Sequence, residues 1–162
     1  LKLRVNCRNT TNILSAIQTE LKCDLGKPTL VDGPDVIEYR GDSDGLIEKL
    51  EALIKDLISS ELDLGSITIL SSVPKRKSIV SMLSPEAQNM IAELDDYKVR
   101  KIPFDGMTFS QIKDFKGLEN DVIILVDMPH PGSLGEDKSK ALHYVGMSRA
   151  KAILYCFWAA PV

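Results

Sequence analysis

The sequence predicts an α/β fold, a mostly parallel β-sheet with helices packed on both faces. Short apolar runs alternate with helical patterns along the chain, which is what strands joined by helical crossovers produce. Two of those runs, Ile67 to Ser71 and Asp121 to Asp127, read as buried strands. The chain has 162 residues, 44% hydrophobic and 27% charged, enough for one globular domain with a real core and not comfortably two.

The first strand is Leu1 to Val5, after which Asn9 or Thr10 can cap a helix carrying Ile13, Leu14, Ile17 and Leu21 at helical spacing. Lys27 to Asp35, with its Pro and Gly, is loop, and a short strand follows around Val36 to Tyr39. From Asp44 to Ser60 the broad apolar stripe of Leu46, Ile47, Leu50, Leu53, Ile54, Leu57 and Ile58 marks the clearest amphipathic helix. After the strand Ile67 to Ser71, Pro74 suits the first turn of a helix with Lys75, Arg76 and Lys77 facing solvent. Ser84-Pro85-Glu86 restarts a helix through about Leu94, and strands are expected near Val99 to Ile102, at Met107 to Ile112 and at Asp121 to Asp127. Pro129 to Gly135 is a surface loop, Glu136 to about Met147 a helix, and Ala152 to Phe157 the last strand.

Composition narrows the function classes. Net charge is −3, which argues against a dedicated basic clamp for nucleic acid and leaves only a local groove. No apolar run approaches the length that spans a bilayer. Three cysteines, Cys7, Cys23 and Cys156, show no CxxC spacing; they read as reduced thiols of an intracellular, cytoplasmic protein. The chain begins at Leu1 with no signal peptide, so it is expected to be one domain of something longer.

Two runs near the C-terminus carry the chemistry. In Lys116-Gly117-Leu118-Glu119, Gly117 lets the backbone turn and approach a ligand closely. Glu119, placed just before an apolar strand, can accept hydrogen bonds from a sugar hydroxyl, and Lys116 can meet a phosphate. The plainer reading is a glycine turn with solvated charges. In Tyr144-Val145-Gly146-Met147-Ser148-Arg149-Ala150-Lys151, Arg149 closes a short helix at the edge of the domain. A guanidinium held there can reach a γ-phosphate in a partner domain, or it simply offsets the helix macrodipole. A third run, Asn6-Cys7-Arg8-Asn9-Thr10, lies between a strand and a helix, and alone it reads first as a capping turn with Arg8 exposed.

Taken in chain order from Asn6, the three runs resemble motifs IV, V and VI of UvrD-like (superfamily I) helicases, and the resemblance effectively covers Asn6 to Phe157. It implies a RecA-like three-layer sandwich and a single domain, the second or C-terminal one, over residues 1–162. It further implies an ATP site shared with an N-terminal RecA-like domain of the same polypeptide, with Arg8 and Arg149 on the γ-phosphate, Arg149 as arginine finger, and Glu119, Gly117 and Lys116 on the nucleotide. Residues just upstream of the Lys-Gly-Leu-Glu run touch single-stranded DNA in that family, which makes Ser110, Gln111 and Lys113 candidates. Where many members carry Thr-x-His, this chain has Gln111-Ile112-Lys113. Between Arg8 and Lys116 there is no room for the large helical insertion of the Rep, PcrA and UvrD enzymes, so a compact type is expected.

What is missing is informative too. No GxxxxGK[ST] loop occurs, so the phosphate cradle, the Mg²⁺ ligands and the water-activating carboxylate are expected in the N-terminal domain, outside this chain. Val122 to Asp127 imitates the acidic strand of such a domain, but no second acidic residue follows Asp127. Two lone histidines, His130 and His143, give no metal-ligand pattern. The alternatives are a helicase-derived module that binds nucleic acid or protein without turnover, and an unrelated α/β nucleotide-binding protein. The latter would scatter Arg8, Glu119 and Arg149.

Overall fold

The computed structural model describes residues 5–6, 8–28, 31–94, 106–134 and 140–160. Its centre is a six-stranded, all-parallel sheet in the order β3-β8-β7-β4-β6-β5. These strands are β3 Ile37–Gly41, β4 Ile67–Ser71, β5 Ile91–Glu93, β6 Met107–Gln111, β7 Asn120–Pro129 and β8 Ala150–Ala159. Strand β7 sits between β4 and β8, and its residues 122–126 are all buried, so apolar side chains point to both faces and no alternation survives.

Each face has its own core. On one, α2 (Ser43–Ser59) lays Leu46, Leu50, Ile54 and Leu57 over Ile67, Ile69, Val122 and Ile124. On the other, α1 (Thr11–Leu21) and α4 (Ala141–Met147) cover Leu70, Ile123, Leu125 and Leu154 with Ile13, Ile17 and Met147. Helices therefore flank the sheet on both sides, as the sequence predicts. His143 fixes α4 to the end of β7 by donating from Nε2 to the Pro129 carbonyl at 2.8 Å, and burial lowers its pKa below the usual 6.5.

Several local expectations are corrected. Val5–Asn6 (β1) pairs not with the main sheet but with Lys27–Pro28 (β2) inside the expected loop; residues 1–4 lie outside the described set, as does the expected strand at Val99 to Ile102. After Pro74 the chain makes two 3-10 turns, Lys75–Lys77 and Ile79–Met82, in place of a helix. The helix opening at Ser84 stops at Asn89 (α3, Pro85–Asn89), because Ile91–Glu93 leaves it to pair with Met107 to Phe109. Burying Ile91 to 2% exposure in that ladder outweighs local helix propensity. Asp127 takes φ +60° where β7 bulges between Leu125 and Met128. Its carboxylate accepts from the Ser71 hydroxyl at 2.6 Å and the Ile79 amide at 3.0 Å, so the polar end of this strand is a structural clasp.

A pH-dependent tie joins α2 to α3. Glu51 accepts hydrogen bonds from both the amide and the hydroxyl of Ser84, and these hold its carboxyl below the ordinary 4.5. A depressed carboxyl contributes stability above its unfolded pKa and loses it as pH falls through the folded value. Glu51→Gln is therefore expected to flatten the loss of stability below pH 4.5. Urea unfolding of both proteins across the acid range checks this, and parallel pH profiles would refute it.

Candidate functional site

The amino ends of β7 and β8 lie side by side, with Asn120 opposite Ala150, and three distant segments are stitched together there. The first is the turn out of β6. Asp114 and Phe115 both bond back to the Gln111 carbonyl, and Phe115, 3% exposed, anchors the turn in the core beneath α4. Gly117 then reverses the chain at φ +84°. A Cβ there would meet nothing within 4 Å, so the demand for glycine is conformational, not steric within the protein. Lys116 and Glu119 are left exposed on either side of it.

The second segment is the end of α4. Arg149 Nε donates to the Val145 carbonyl at 3.1 Å, satisfying one of the free carbonyls of the last helical turn. Its Nη1 reaches across to the Leu118 carbonyl at 3.2 Å. The Asn120 amide donates to the Arg149 carbonyl at 3.1 Å. Both readings of Arg149 are thus present in one side chain. It serves the helix terminus, and it leaves Nη2 without a hydrogen-bond partner among the described residues.

The third segment is the Asn6 turn. Asn6 Oδ1 accepts from the amides of Arg8 (2.9 Å) and Asn9 (3.2 Å), and Arg8 Nε pairs with Glu119 Oε2 at 3.0 Å. Thr10 occupies the N-cap position of α1, but its side chain makes no capping bond. Asn9 does not cap either: its amide turns inward to the Ser148 and Ala150 carbonyls. Beside these, Lys151 pairs with Asp121 at 2.7 Å, and that hydrogen bond raises Lys151 above its usual 10.5. Four cations (Arg8, Lys116, Arg149 and Lys151) face two carboxylates (Glu119 and Asp121), an excess of positive charge suited to a polyanion.

So Arg8, Glu119 and Arg149 meet at one end of the sheet, with Gly117 and Lys116 in the adjoining turn. Ser110, Gln111 and Lys113 stand at the opposite, carboxyl end, where Gln111 lies beside Ser71. Of these, Lys113 is exposed and Gln111 partly so. Ser110 is 3% exposed and bonds inward to the Gln111 carbonyl, so it presents no surface to a nucleic acid in this structure.

Sequence reasoning missed one further cluster, because Glu20, Glu38 and His130 come from α1, β3 and the loop after β7. Their ligand atoms lie within 4.8 Å of one another. The Gly132 amide reaches His130 Nδ1 at 3.0 Å, and His130 Nε2 lies 2.8 Å from Arg40 Nη2 and 3.2 Å from Glu20. Arg40, 2.9 Å from Glu38, already supplies the compensating positive charge.

No protein-family model and no curated protein matches this sequence. Among solved structures, the C-terminal domain of a possible DNA helicase from Lactobacillus plantarum WCFS1 superposes with a TM-score of 0.67, covering 97% of this chain and 90% of that one at 15% identity. The PRRSV helicase aligns over 96% of this chain and 23% of its own, at 13% identity and a TM-score of 0.43. At the first of these levels the likeness is one of fold. With its all-parallel sheet flanked by helices, the chain has the α/β architecture of a RecA-like helicase domain.

Proposed function

We propose that this chain is the C-terminal motor domain of a UvrD-like, superfamily I, ATP-dependent DNA helicase or translocase. The observation that carries the proposal is the meeting of Arg8, Glu119 and Arg149 at one end of the sheet. In this reading ATP lies in a cleft against an N-terminal RecA-like domain of the same polypeptide, which brings the phosphate cradle and the Mg²⁺ ligands. Glu119 accepts hydrogen bonds from the ribose, Lys116 and the Gly117 backbone border the phosphates, and Arg8 and Arg149 face the γ-phosphate. Glu119 must release Arg8 to take the sugar. Their side chains are 50% and 42% exposed, and such surface pairs are worth about 0–1 kcal/mol, so a nucleotide displaces one readily.

ATP draws the two domains together and hydrolysis lets them part, and this cycle moves the enzyme along single-stranded DNA. Gln111 and Lys113, at the far end of the sheet from the nucleotide, are the proposed strand contacts. Half a site does not turn over. The purified 162-residue chain is therefore expected to show no significant ATP hydrolysis with Mg²⁺, with or without single-stranded DNA, in a phosphate-release assay. Robust hydrolysis by the chain alone would overturn the shared-site reading.

A further inference from the structure

Resting on that reading, we propose that Asn9 is a positioning residue that sets the backbone of Arg149 and locks it to the Arg8 turn. Asn9 is 1% exposed. Its Nδ2 donates to the carbonyls of Ser148 at 3.2 Å and Ala150 at 2.6 Å, the residues on either side of Arg149. Both neighbours are acceptors, so the nitrogen must face them. The Oδ1 takes a hydrogen bond from Asn6 Nδ2 at 3.3 Å, and Asn6 in turn holds the amides of Arg8 and Asn9. An unbroken set of bonds thus runs from the backbone of Arg8 through two amide side chains to both peptides flanking Arg149. The next residue continues it, with the Thr10 amide on the Lys151 carbonyl at 3.3 Å.

The chemistry of the position is selective. Two buried carbonyls that diverge around one residue need two donors from a single short group, which a primary amide provides. Aspartate would set a carboxylate against two carbonyl oxygens, and a serine hydroxyl has one proton for two acceptors. Asn9 itself points away from the exposed charges, so its effect passes through Arg149. Past Met147, where α4 ends, the Arg149 amide keeps one bond to the Gly146 carbonyl at 3.2 Å, and Asn9 adds the constraint on the carbonyls at either side of Arg149.

The test is a double-mutant cycle on ATP hydrolysis by the full-length enzyme, with Asn9→Ala, Arg149→Ala and the pair. A misplaced reacting group can lose about 10²-fold in rate, so Asn9→Ala is expected to lower kcat by roughly 10- to 100-fold while KM for ATP changes by less than about 3-fold. In the Arg149→Ala background the same substitution is expected to do nothing further. An equal loss in that background would overturn the positioning role and leave the helicase reading standing. Unchanged kcat in Asn9→Ala would overturn it as well. Undiminished turnover in Arg149→Ala would overturn the helicase reading and this inference with it. Should Asn9→Ala fail to fold, Asn9→Ser, which keeps one donor, enters the same cycle.

Discussion

On the proposed reading, Arg149→Ala in the full-length enzyme is expected to lower the turnover number for ATP hydrolysis by about 10³- to 10⁵-fold, the range seen when a finger arginine is removed from phosphoryl-transfer sites. KM for ATP should move little, because the lost interaction grows as charge gathers on the γ-phosphate. The geometry makes lysine a poor substitute. Arg149 uses Nε and Nη1 on two carbonyls and leaves Nη2 without a hydrogen-bond partner among the described residues, a division of labour that a planar fork allows and a single ammonium does not. Arg149→Lys is therefore expected to recover only a small part of the loss. Steady-state kinetics with saturating single-stranded DNA checks both variants, and wild-type turnover in Arg149→Ala would remove the residue from the chemistry.

The largest effect on stability is expected from Phe109→Ala. Phe109 is fully buried on β6, between Ile69 of β4 and Glu93 of β5, and it belongs to the core beneath α2. Truncating such a ring removes its transfer free energy and leaves a cavity, together about 3–5 kcal/mol. Domains are stable by about 5–15 kcal/mol in total, so the variant should unfold far earlier in denaturant with little change in slope. The chain's single tryptophan, Trp158, is 1% exposed in the opposite core, and its fluorescence reports whether both faces unfold together. A change under about 1 kcal/mol would mean that the β5–β6 edge contributes little to the core.

Legibility in the sequence followed locality. Strand β4 is found at the bounds its apolar run predicts, and α2, whose stripe spans several turns, is displaced by one residue. The helix after Ser84 is shorter than its local pattern predicts because its end is decided by pairing with residues 107–109, which no local window contains. The site divides in the same way. Arg8, Glu119 and Arg149 stand at the ends of elements, but it is the resemblance to three helicase motifs, more than their positions, that singles them out. Asn9 could not be picked out, since an asparagine before a helix reads as a cap, and its partners are 139 and 141 residues away. The Glu20, Glu38 and His130 cluster was hidden for the same reason.

The crossover between β6 and β7 passes over β4 in only the eight residues 112–119, whereas parallel connections usually need about a dozen or more. Register places Gln111 level with Ser71 and Ser71 level with Val126, so this segment must travel back roughly six strand residues, about 20 Å, to reach Asn120. Fully extended, eight residues span at most about 29 Å, and part of that length is spent in the turn at Gln111. A second turn, closed by the Leu118 amide on the Phe115 carbonyl, takes up the rest. The segment's middle is pinned by Phe115, and its start packs under Gly146, where even a methyl group would come within 3.3 Å of Ile112. Glu119 at one rim of the sheet and Gln111 at the other are thus joined by one short double turn fastened to the core at Phe115.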